Sequence, residues 1–107
     1  MGKGNYLGEF ELVVMLTLFR LGDRAYGMTI RLEIEERTGR SVSIGAVYTT
    51  LRRLQRKGFV LSALGEPSPS RGGRAKKYFT LEPDGLEALQ RSREMFASLW
   101  TDVPEPS

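Results

Sequence analysis

The chain has 107 residues, 40% of them apolar and 27% charged, the composition of one globular domain around one core. It contains no cysteine and no histidine, which removes disulfides, thiolate metal sites, cysteine catalysis, and the commonest general base and metal ligand. The net charge of +3 conceals a segregation: residues 41–81 carry eight basic residues and one acid, residues 1–40 balance six against six, and residues 82–107 carry two basic residues and six acids.

In chain order, MGKGNYL reads as a frayed end. The run GEFELVVMLTLFRL, residues 8–21, predicts a helix. Phe10, Val13, Val14, Leu16, Leu18 and Leu21 cover more than one side of it, and a helix apolar all round is a buried one. Gly22-Asp23 stops it. Residues 27–38 predict a second helix with Met28, Ile30, Leu32 and Ile34 as its apolar set. Arg31, Glu35, Glu36 and Arg37 point to water, and Gly39 serves as C-cap. Tyr26-Gly27 before it fits either a close approach to a neighbouring helix or an ordinary turn.

The stretch SIGAVYTTLRRLQRKGF predicts a third helix, capped by Ser43 and closed by Lys57-Gly58. Its apolar side is Ile44, Val47, Leu51 and Leu54. The opposite side shows Gly45, Ala46 and Thr49, then Arg52, Arg53 and Arg56. FVLSAL and KKYFTL read as strands around GEPSPSRGGR, a hairpin with a long basic loop. Phe59, Tyr78 and Phe79 are assigned to the core. Pro83 starts a last helix that runs to about residue 100, and DVPEPS reads as a disordered tail. No internal repeat is present.

Three helices followed by a hairpin is the winged helix-turn-helix order. A helix that enters a major groove needs small residues near its N-terminus, where it lies closest to the bases, and basic residues further along. The third helix has that order. A basic hairpin loop after it suits the flanking backbone or the minor groove. A solvated amphipathic helix also carries arginines, and it is the adjoining basic hairpin that favours DNA as partner.

Two motifs make the resemblance specific. The first is Gly45-x-x-Tyr48-x-x-Leu51-x-x-Leu54-x-x-x-Gly58; the second is Gly72-Gly73-Arg74 followed by Tyr78-x-x-Leu81. With Tyr26-Gly27 before them and Gly85 after, the chain resembles the PadR family of transcriptional regulators, in its short form with a single C-terminal helix, over residues 7–89. It departs at Thr49 and Ala75, where that family often has proline. It departs again at Glu82, where a threonine cap is usual; a carboxylate there still suits the helix dipole.

The resemblance implies a fold that is mainly α with a β-hairpin: a winged helix-turn-helix domain, residues 8–82, plus a C-terminal dimerisation helix, residues 83–101. It implies a sequence-specific regulator, a homodimeric repressor on a near-palindromic operator of double-stranded DNA. The recognition helix is residues 43–57 and the basic wing residues 66–77. The expected DNA contacts are Ser43, Ala46, Tyr48, Thr49, Arg52, Arg53, Arg56, Arg71, Arg74, Lys76 and Lys77. For Tyr48 two roles stand, packing at the flank of the apolar stripe or a phosphate bond from its hydroxyl.

The last helix carries Leu86, Leu89, Met95, Phe96, Leu99 and Trp100, more apolar surface than a small three-helix unit covers. A second copy is the simplest cover, so Leu86, Leu89, Phe96, Leu99 and Trp100 are the expected dimer contacts, joined, as the resemblance implies, by the N-terminal helix. Arg93 lies within the same stripe. Phe96 and Trp100 also suit the wall of a pocket for a small aromatic effector. No cofactor, metal or catalytic residue is expected: no Ser or Lys has a base beside it in motif terms, and Gly72-Gly73 lacks a phosphate-loop context. No apolar run approaches the ~18–20 residues of a membrane span and no signal-peptide pattern is seen, so no membrane partner and a cytoplasmic location are expected. The competing reading is a winged-helix module for protein or non-specific nucleic-acid contact.

Overall fold

Three helices meet through aliphatic side chains spaced a turn apart: Val14, Met15 and Leu18 on the first, Ile30 and Ile34 on the second, and Val47, Leu51 and Leu54 on the third, all buried. The structure, a computed structural model, describes residues 7–65 and 75–106. The elements are α1 (Glu9–Leu21), a single 3-10 turn (Gly22–Arg24), α2 (Gly27–Thr38), α3 (Ile44–Arg56), β1 (Val60–Leu64), β2 (Lys77–Leu81) and α4 (Pro83–Trp100). The order is the expected one, mainly helical with one hairpin. Ser43 caps α3, its hydroxyl accepting the Ala46 N–H at 3.0 Å, and Gly39 closes α2 in the left-handed conformation.

β1 and β2 pair antiparallel, from Val60 opposite Leu81 to Leu64 opposite Lys77. The hairpin is also fastened to the chain ahead of α2. The Phe79 N–H donates to the Ala25 carbonyl at 2.9 Å, and Tyr26 forms an isolated bridge with Tyr78. Phe59 and Phe79 are buried under the hairpin. α4 then presses onto the start of β1: the Glu82 N–H donates to the Phe59 carbonyl at 2.9 Å, and a Cβ on Gly85 would overlap that carbonyl. Ala88 and Leu89 complete the core.

Several side chains depart from expectation. α1 is not buried all round: Leu16 is 51% and Phe19 61% exposed. On α2, Ile30 and Ile34 turn inward, while Met28 and Leu32 face out. Residues two apart cannot share a face of a helix, and the inner face here is set by the pair one turn apart. Ile44, in the first turn of α3, also stands clear of the core. Tyr78 is only half-buried, lying edge-on to Tyr26 with ring centroids 5.4 Å apart. Glu11, by contrast, is buried.

The second half of α4 extends beyond the rest, leaving Met95, Phe96, Leu99 and Trp100 exposed. The described residues span 55 × 36 × 20 Å. The C-terminal tail carries no helix or strand through residue 106. Among the described residues no helix is long and apolar enough to cross a membrane.

Candidate nucleic-acid interface

The outer face of α3 is built by subtraction. Val47, Leu51 and Leu54 are committed to the core, which leaves Gly45, Ala46, Thr49, Arg52, Arg53 and Arg56 exposed on the other side. Backbone near the N-terminal end of this face is therefore open to close approach, while the cations stand one and two turns further on. Among the described residues no carboxylate lies within ion-pair distance of Arg52 or Arg56.

Arg53 differs. Its guanidinium leans toward α1, with Nη1 3.9 Å from Oε2 of Glu11. Lys57 lies one turn later and donates to both Glu11 oxygens at 3.0 Å. The sequence reading placed all three arginines in one row and did not register Glu11. An acid in the first turn of a helix, as Glu9 and Glu11 both are, reads as facing water, and only the packing of α1 on α3 turns Glu11 inward.

Tyr48 sits where α2 begins. Its ring meets Phe79 edge-on at 6.2 Å, and its hydroxyl lies against the Gly27 α-carbon, where a Cβ would overlap it. Of the two readings of Tyr26-Gly27, the close approach is the one found. The Tyr48 ring packs, with the residue half-buried.

Where the loop enters β2, Lys76 sets its ammonium 4.3 Å from the Tyr26 ring centroid, a cation–π contact that holds the side chain near the surface. Lys77 is exposed. Arg71 and Arg74, like most of the expected wing, lie outside the described residues.

The expected dimer residues divide. Leu89 belongs to the core, Leu86 is half-buried, and Phe96, Leu99 and Trp100 are exposed. Leu12, Leu16 and Phe19 of α1 face Leu86, Leu89 and Phe96 of α4 across an apolar groove of about 440 Å³, with Arg93 at its edge. Phe96 thus lines a pocket, whereas Trp100 stands outside it. The α1 half of this surface was legible only as spacing: Leu12, Leu16 and Phe19 recur at helical intervals, a second stripe on a helix that already has one.

The chain shares its family and fold with known proteins. The sequence model of the transcriptional regulator PadR-like family matches residues 15–91. No curated protein sequence matches with significance. Among solved structures, the complex structure of hsRosR-S1 superposes with a TM-score of 0.74 at 25% identity, covering 94% of this chain and 81% of that one. A PadR family transcription regulator from Clostridium difficile R20291 gives 0.72 at 22% identity, covering 86% and 91%. F93 from STIV, a winged-helix DNA-binding protein, shares the fold with a TM-score of 0.71 at 19% identity, covering 92% and 99%.

Proposed function

The chain belongs to the transcriptional regulator PadR-like family, and from that premise we propose that it is a homodimeric repressor that reads a near-palindromic operator. α3 enters the major groove with Ala46 and Thr49 nearest the bases. Arg52 and Arg56 meet guanine edges or phosphates, and Ser43 stands at the groove entrance. The hairpin, with Lys76 and Lys77 at the loop end of its strands and Arg71 and Arg74 in its loop, lies along the flanking backbone. Tyr48 contributes mainly by packing, and its hydroxyl reaches a phosphate only from that packed position.

One observation carries this reading: α3 presents small exposed residues followed by two exposed arginines without carboxylate partners among the described residues. A protein-binding or sequence-blind module has no need of that graded face. The dimer would form through the second half of α4 and the outward face of α1, burying Phe96, Leu99 and Trp100. A two-fold axis there would set two recognition helices about one turn of DNA apart, ~34 Å. The α1/α4 groove, about 440 Å³, suits a small flat aromatic effector with Phe96 in its wall. Such a ligand would act by changing the spacing of the two halves. The family works by regulation, and this reading assigns the chain no catalysis and a place in the cytoplasm.

The test is fluorescence anisotropy on a duplex from upstream of the chain's own gene and on a shuffled duplex of equal length, at several salt concentrations. Preference for the first by ~10³-fold or more is expected. Arg52→Ala is expected to weaken binding and to reduce the slope of log affinity against log salt by about 0.9 if it meets a phosphate. Equal binding to both duplexes with a steep salt dependence would favour the sequence-blind module.

A further inference from the structure

Glu11 is one of two acids in the first turn of α1, and its side chain is only 7% exposed, against 77% for Glu9. Every polar contact it makes points the same way. Oε1 accepts the Gly8 N–H at 2.8 Å, which fixes the carboxylate at the first turn of α1. Both oxygens accept from Lys57 Nζ at 3.0 Å, and Oε2 lies 3.9 Å from Arg53 Nη1. The carboxylate therefore joins the start of α1 to the last turn of α3. Arg53 and Lys57, four residues apart, occupy the side of α3 that turns toward α1.

A buried ion pair is a poor means of adding stability, because apolar side chains of the same volume do as well or better. What it supplies is direction: a carboxylate held by its own backbone admits few orientations of the helix bound to it. It also competes. A guanidinium drawn to a protein carboxylate is less available to a phosphate, and phosphate contacts are the sequence-independent part of DNA affinity. Arg53 is half-exposed, at 49%, so both partners are within its reach.

We propose that Glu11 is a positioning residue for DNA recognition: it orients the C-terminal end of α3 and holds Arg53 and Lys57 on a protein carboxylate instead of on phosphate. Selectivity rises as sequence-blind affinity falls. The proposal rests on the reading of α3 as the recognition helix.

The experiment compares the full chain with Glu11→Gln, which keeps the shape and the acceptor for Gly8 but removes the charge. The probes are a duplex that the wild-type chain selects from a randomised pool and a shuffled duplex of the same length. Affinity is read by anisotropy across a salt series. Glu11→Gln is expected to bind the shuffled duplex about tenfold more tightly at low salt, with a slope steeper by about 0.9 for each cation released. The ratio between the two duplexes should fall about tenfold. Adding Lys57→Gln to Glu11→Gln should return the slope toward wild type while the ratio stays low.

A lower melting temperature with ratio and slope unchanged would make Glu11 a structural residue only and overturn the proposal. If Glu11→Gln does not fold, the double variant, which removes both charges of the buried pair, decides instead: a ratio equal to wild type overturns the proposal, and a lower one supports it. If the wild-type chain selects no duplex, the reading of α3 itself fails and takes the proposal with it. A discriminating wild type with an unchanged Glu11→Gln defeats the proposal alone.

Discussion

Gly27 has room for a hydrogen atom and nothing larger, because the Tyr48 hydroxyl occupies the space a Cβ would take. Alanine is ordinarily the better helix former, and in an open first turn Gly27→Ala would stabilise. Here it should destabilise by about 1–3 kcal/mol through overpacking, as read by urea denaturation. Tyr48→Phe, which deletes the obstructing oxygen, should recover part of that loss in the double variant. A stabilised Gly27→Ala would mean that the helix–helix approach is looser than the geometry says. At this scale the sequence was only partly legible. Tyr26-Gly27 announced a special backbone site without saying what stood opposite, since Tyr48 lies twenty-one residues on. Glu11 was silent for the same reason: its partner Lys57 is forty-six residues away, and nothing local marks an acid that will be buried.

Among elements, α1 and α2 are tied by more than their apolar faces. The Arg20 guanidinium donates to Glu33 at 2.9 Å and Arg37 does so at 3.4 Å. These donors, Arg20 foremost, hold the Glu33 carboxyl below its ordinary range against a smaller opposing effect of desolvation. A carboxyl with a lowered folded pKa stabilises above its unfolded pKa, and that contribution is lost as pH falls through the folded value. Glu33→Gln should therefore lose less melting temperature than wild type between pH 7 and about pH 3, as followed by circular dichroism. The difference should be small because the arginine partners are exposed and water screens the pair. Equal losses in both proteins would dissolve the link. Element limits were highly legible: Ser43, Pro83 and Gly39 mark ends by chemistry that acts within one turn. Which apolar stripe goes inward was less so. Ile30 and Ile34 won over Met28 and Leu32 only because α1 and α3 lie on that side.

At the scale of the whole molecule, the order of elements and the segregation of charge sufficed for the architecture, since both are properties of the linear chain. The exposed stripe on α1 was not legible in the same way, because its meaning depends on something outside one chain. Leu99 is 66% and Trp100 67% exposed, so neither supports its own domain, and Leu99→Asp should leave monomer stability within about 0.5 kcal/mol of wild type. On the proposed dimer the same change should be decisive: sedimentation equilibrium should give twice the 12.0 kDa chain mass for wild type and one chain for the variant. A dimeric variant would move the seam elsewhere. The fastening of the hairpin to Ala25 and Tyr26 has a bearing on how such a dimer would be tuned. The hairpin hangs from the segment that leads into α2, and α2 packs on α3, so the proposed groove reader and backbone clamp would be parts of one block. A mutation or ligand at the far end of α4 can then act as a caliper screw does, opening or closing the gap between two blocks while each keeps its own shape. Altered regulation would show as a preference for operators with an extra or a missing base pair at the centre, with the half-site letters unchanged.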